Sequence, residues 1–259
     1  SLAGRNVFGA NSSRALDSFF CEFTTFGTQW CNTVESERAT NGSHTLSRSV
    51  CNLTSAMTIA SNAALRLVGN SSAITILSGN NLNRLFHVLG QLTLVDLILE
   101  NGKVTGNGGG LLVDGVLASV RLIRTVVQWC VASEWGGAVY VTNGAVLILE
   151  ESILKSNHGI HGGAVRADNG AQVEVTEGTT SYLKNNTATE DGGGLYLEDT
   201  GTKLGVSGTS TQLVVVGNTA GDQAGGVGAG GASTVIVSSG GRMLITNNTA
   251  INWGGGVYL

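Results

Sequence analysis

The chain has 259 residues, of which 42% are hydrophobic and only 12% charged, with a net charge of −4, 39 glycines and no proline. That apolar content supplies a core and argues against simple disorder, while the scattered cations give no electrostatic footprint for nucleic acid or an anionic membrane. No apolar run approaches the roughly 20 residues of a membrane span, and no signal peptide is visible.

Residues 1–42 stand apart from the rest. Phe8, Phe19, Phe20, Phe23 and Phe26 fall there, with Trp30, Cys21 and Cys31. The segment reads as a cap on the repetitive region C-terminal to it or as the end of a preceding domain. Cys21 and Cys31 are expected to form a staple in an oxidising compartment, with Cys51 a rival partner for either.

From Ala56 to Gly102 the chain alternates apolar and other residues, as in "AMTIASNAALRLV" and "QLTLVDLILENG". Such short period-2 runs bounded by Gly, Asn, Ser and Thr read as strands. The absence of proline fits a chain whose N–H groups are committed to β ladders.

Beyond Gly102 the pattern becomes a repeat. Glycine pairs head "GGGLLV" at Gly108, "GGAVYV" at Gly136, "GGAVRA" at Gly162, "GGGLYL" at Gly192, "GGVGAG" at Gly225 and "GGGVYL" at Gly254, at intervals of 28, 26, 30, 33 and 29 residues. Before each pair an aliphatic residue is followed, three positions on, by Asn. The series is Ile98/Asn101, Leu154/Asn157, Leu183/Asn186, Val215/Asn218 and Ile245/Asn248, with Val127/Cys130 the exception. Each unit holds about three short strands and is too small to bury its own apolar face, so stacked units must share one core. The expected fold is all-β: a right-handed parallel β-helix of three sheets over residues 43–259, continuing beyond Leu259. Asn101, Asn157, Asn186, Asn218 and Asn248 are expected to stack as a ladder at one turn, where Asn tolerates the left-handed conformation. The glycine pairs serve the next corner.

These paired motifs, "GGA" plus an aliphatic and an aliphatic-x-x-Asn, resemble the polymorphic outer membrane protein repeat of chlamydial autotransporter adhesins. The resemblance spans roughly residues 95–259. It implies a right-handed β-helix displayed on a cell surface and used in adhesion. The family's usual Phe is replaced here by aliphatic residues throughout.

Because many β-helix proteins cleave acidic polysaccharides, clustered acids or a Ca²⁺ site with a nearby cation would signal catalysis. The acids are dispersed; Glu134, Asp191 and Asp222 are expected to form a solvated column along one turn. His158 and His161 in "NHGIHGG" lack a third ligand in sequence, so no metal, cofactor or catalytic residue is expected. The leading reading is a non-enzymatic extracellular or cell-surface protein, adhesin-like or structural; the rival is a polysaccharide lyase or hydrolase. Its expected partners are other protein segments or surface glycans, with end-to-end self-association through open coil edges. Asn11, Asn41, Asn52, Asn70, Asn185 and Asn247 head glycosylation sequons, of which Asn185 and Asn247 sit at equivalent turns. Tyr140, Tyr196 and Tyr258, with Arg166 between them, form a column that either binds carbohydrate or protein or simply stacks to stabilise a sheet face. Cys130 is expected to be a buried free thiol.

Overall fold

The computed structural model describes residues 22–23, 29–30, 42–46, 50–70, 74–176 and 178–259. Alternation sets its elements. In Ser119–Ile123, Val120 and Leu122 are buried while the residues between them face outward, and in Val146–Glu150 Leu147 and Leu149 do the same. The two strands pair in parallel, Val120 beside Leu147 and Leu122 beside Leu149, so each apolar side chain lands on another. A slip of one residue would turn the whole set out to solvent. That penalty fixes the register.

Stacking every coil this way gives a parallel β-helix with four sheets. Among the described residues, sheet I has eight strands, including Gln91–Val95, Ser119–Ile123 and Val146–Glu150; sheet II has ten, including Ile98–Glu100, Val126–Gln128 and Ile153–Lys155. Sheet III has six, among them Lys103–Val104, Val131–Ala132 and His158–Gly159; sheet IV has eight, among them Leu111–Asp114, Val139–Thr142 and Val165–Ala167. The core runs down the middle as columns, of which Leu99, Val127, Leu154, Leu183 and Val215 form one, each with no exposed surface.

The expected three sheets therefore need correction. The early coils are three-sided, Gly42–Thr45, Val50–Asn52 and Met57–Ile59 making one and Ala64–Val68, Ile76–Ser78 and Phe86–Val88 the next. From Lys103 on, a two-residue strand intervenes before each glycine corner and builds sheet III. Two residues are too few to display a period of two, and the mark this side leaves is a recurring Thr-Ala, at Thr187–Ala188, Thr219–Ala220 and Thr249–Ala250.

At the corner between sheets III and IV, Gly108, Gly136, Gly162, Gly192 and Gly254 have φ from +64° to +69°, and Ala224 has +55°. The second glycine is required for a different reason. A Cβ on Gly163 would lie 2.3 Å from the Gly193 carbonyl oxygen. Ala224 occupies the first position in its coil, so the repeat aligned on Gly225 is shifted by one residue.

Strands from the N-terminal segment reach sheet II: Glu22–Phe23 pairs antiparallel with Gln29–Trp30, and Trp30 pairs in parallel with Asn52. At the other end, Thr234–Ser238, Arg242–Thr246, Thr249–Ala250 and Val257–Tyr258 are the edge strands of sheets I, II, III and IV.

Candidate functional site

The turn after sheet II holds the asparagine ladder. Nδ2 of Asn157 donates to Oδ1 of Asn186 at 3.0 Å, Asn186 to Asn218 at 2.9 Å and Asn218 to Asn248 at 2.9 Å. Each receiving Oδ1 also accepts the backbone N–H of the Asn one coil earlier. The other amide hydrogens go back to the carbonyls of Val127, Leu154, Leu183 and Val215.

Asn101 is not part of this ladder. Leu99, not Ile98, is the buried residue in register with Val127, which places Gly102 level with Cys130 and Asn101 level with Trp129. The aliphatic-x-x-Asn motif matches only from Ile98, but packing puts its neighbour Leu99 in the core column, and three residues on from Leu99 stands Gly102. The left-handed conformation also belongs to the residue before the ladder: Asn101, Trp129, Ser156, Asn185 and Asn247 have φ from +53° to +56°.

Cys130 fills the ladder slot of its coil as a fully buried free thiol, its N–H donating to Asn157 Oδ1 at 3.0 Å, and burial pushes its pKa up to about 12. Cys21 and Cys31 lie outside the described residues. Cys51 is disulfide-bonded and Cys130 is free. Among the sequons, Asn185 and Asn247 are exposed, Asn52 and Asn70 are partly buried, and Asn11 and Asn41 lie outside the described residues.

Sheet IV carries the tyrosine column on its outer side. Tyr140, Arg166, Tyr196, Gly228 and Tyr258 are in register. The column is closed over much of its length, for Tyr140 and Arg166 are each 6% exposed. Their roof comes from the corner: the Trp135 ring meets Tyr140 edge-on at 5.7 Å, and the Arg166 guanidinium lies between Trp135 at 5.3 Å and Tyr196 at 4.7 Å. Beneath it the buried Asp168 carboxylate accepts the Tyr140 hydroxyl at 2.9 Å and the Thr142 hydroxyl at 2.6 Å, and faces Arg166 Nε at 3.4 Å. Arg166 also reaches Glu198 at 3.4 Å. Burial raises the pKa of both tyrosines, Tyr196 to about 12, so both hydroxyls are protonated at neutral pH. At Gly228 the Tyr196 ring occupies the space a side chain would need.

The corner itself brings together residues the sequence keeps a coil apart. Trp135, His161, Asp191, Gln223 and Trp253 follow one another along one backbone hydrogen-bonded column, each just before the first corner position. Glu134, Ile160, Glu190, Asp222 and Asn252 form the adjacent column. The expected single column of Glu134, Asp191 and Asp222 is thus split, Asp191 lying one residue across. His158 sits in sheet III between Val131 and Thr187, outside both of these columns. His161 instead meets the acids of the following coil, Nε2 lying 3.2 Å from Glu190 Oε2 and Nδ1 3.2 Å from Asp191 Oδ2. Burial is the main influence on Asp191 and raises its pKa, against the lowering effect of His161 and of the Gln223 N–H.

Elsewhere, a groove of about 450 Å³ lies beside the first strand of sheet III, lined in part by Arg84 and Lys103. The Arg84 guanidinium is held by the carbonyls of Asn107 and Gly108.

No protein-family model, curated protein or solved structure matches the chain.

Proposed function

We propose that this protein is a non-enzymatic extracellular β-helix, adhesin-like or structural, with repeats of the polymorphic outer membrane protein type, that presents its long sides to other proteins or surface glycans. The observation that carries this reading is the closure of sheet IV around Tyr140, Arg166 and Asp168. Asp168, Arg166 and Tyr140, the groups best suited to acid–base work on a sugar, are buried and spend their hydrogen bonds and charge on one another. A lyase or hydrolase needs such groups open to a chain-shaped substrate. The disulfide at Cys51 supports an oxidising, extracellular setting. The exposed sequons at Asn185 and Asn247 fit the same setting.

One observation favours the rival polysaccharide-cleaving reading: His161 between Glu190 and Asp191 is an imidazole–carboxylate arrangement at an accessible corner. Incubation with pectin, alginate and chondroitin, with and without Ca²⁺, separates the two. No new reducing or unsaturated ends are expected. Turnover abolished by His161→Ala would establish the rival, whereas retention of the labelled protein on glycan arrays or intact cells without turnover supports the binding role.

A further inference from the structure

The geometry points to a divalent transition-metal site at the corner between sheets III and IV, with His161, Glu190 and Asp191 as its protein ligands. It is independent of the binding role proposed above.

One imidazole nitrogen and one oxygen from each carboxylate lie within 4.8 Å of one another. Metal–nitrogen and metal–oxygen bonds of about 2.1 Å at tetrahedral or octahedral angles place neighbouring ligand atoms about 3.0–3.4 Å apart. The 3.2 Å separation between His161 Nδ1 and Asp191 Oδ2 already matches, whereas Glu190 Oε2 lies 3.2 Å from the other ring nitrogen, Nε2, and has to move to share a metal with Nδ1. Nδ1 of His161 is a buried atom with no hydrogen-bond partner, with Asp191 Oδ2 3.2 Å away. A metal ion is one way to satisfy such an atom.

The surroundings hold these groups in place, as outer contacts do at metal sites. Oδ1 of Asp191 accepts the Gln223 N–H at 3.1 Å, which leaves Oδ2 turned toward His161. The imidazole stacks on the Tyr196 ring at 5.6 Å and 29°. Glu190, with its side chain 59% exposed, has solvent-facing room to make that move. Asp222 adds a third carboxylate close enough to act on Asp191. The adjacent cation, Arg166, is already committed to Asp168 and Glu198. One imidazole with two carboxylates suits Zn²⁺ or Mn²⁺, and the nitrogen disfavours Ca²⁺, which takes oxygen ligands. Three protein ligands leave at least one position open to water or to an external donor.

The test is calorimetric titration of chelator-treated protein with ZnCl₂, MnCl₂ and CaCl₂. One equivalent of Zn²⁺ or Mn²⁺ should bind at micromolar metal, in preference to Ca²⁺. His161→Gln and Glu190→Gln should each weaken binding about tenfold or more, with unchanged circular dichroism, while His158→Gln should bind as the parent does. Glu190 is exposed, so its variant stays informative even where Asp191→Asn disturbs the corner. No binding, Ca²⁺ binding preferred, or Zn²⁺ affinity retained in His161→Gln would each overturn the site.

Discussion

Asn186 uses the full hydrogen-bonding capacity of its side chain inside the protein. Its amide donates to the Leu154 carbonyl and Asn218 Oδ1, and its oxygen accepts from the backbone and side chain of Asn157, all at 2.9–3.0 Å and with no exposed surface. Asn186→Leu keeps the approximate volume but strands partners on both neighbouring coils. With each unsatisfied buried group costing about 1–3 kcal/mol, the loss should reach at least about 3 kcal/mol. It would be read as a lower urea midpoint at unchanged slope; a loss under about 1 kcal/mol would show that the ladder adds little to stability. Cys130 is the converse case. In Cys130→Asn the new amide can donate to Asn157 Oδ1 and the Leu99 carbonyl, as the ladder geometry repeats. Stability should hold or rise by up to about 1 kcal/mol. In the parent, the buried thiol with its raised pKa should resist iodoacetamide until the chain is unfolded, and peptide mapping without reductant should find Cys51, not Cys130, in a disulfide.

The element that decides the coil shape is the glycine corner. Gly163 faces the Gly193 carbonyl oxygen and the Thr187 backbone, so a Cβ there would sit 2.3–2.6 Å from main-chain atoms that the ladders of the next coil hold fixed. Gly163→Ala should destabilise by about 2 kcal/mol or more. Gly205, in the strand Lys203–Ser207, has nothing within 4 Å of its Cβ position. Gly205→Ala should be neutral or stabilising by up to about 1 kcal/mol, since it removes freedom only from the unfolded chain. Equal effects at the two positions, measured by thermal unfolding, would refute the steric account of the corner. The two-residue strands of sheet III gain most of their order from this corner and the ladder on either side of them.

Across the whole molecule, burial declines toward one end. Leu204, Leu213 and Val215 are fully buried, whereas their partners in the last coil, Val235, Met243 and Ile245, are only partly covered. In the same coil all four sheets present edge strands, and Leu244 and Val257 are 46% and 41% exposed. Unpaired edges with apolar flanks template strand addition. A polypeptide of these 259 residues should therefore associate through that edge. Light scattering over a concentration series should show mass rising with concentration; a monomer throughout would mean the edge is protected. The metal site proposed at His161 lies several coils from this edge, so its occupancy should not alter the association.

Much of the fold was legible because each coil repeats the same local demands. Apolar alternation, a glycine pair and an Asn every 26 to 33 residues are written into consecutive coils, and they determined the parallel β-helix, its core columns and the ladder from Asn157 to Asn248. What the sequence could not determine is phase. Coils differ in length, so which residue lies one strand spacing above another depends on how each loop is absorbed, and that is settled by packing the whole stack. Phase moved Asn101 out of the ladder and Ala224 into a glycine position, and it split the expected acidic column. It also set His161 against Glu190 and Asp191, and Tyr140 over Asp168, contacts between residues a full coil apart that neither coil reveals alone. The sequence by itself sets the demands of one coil; the tertiary structure decides which side chains of neighbouring coils meet, because contact across a solenoid depends on register as well as on composition.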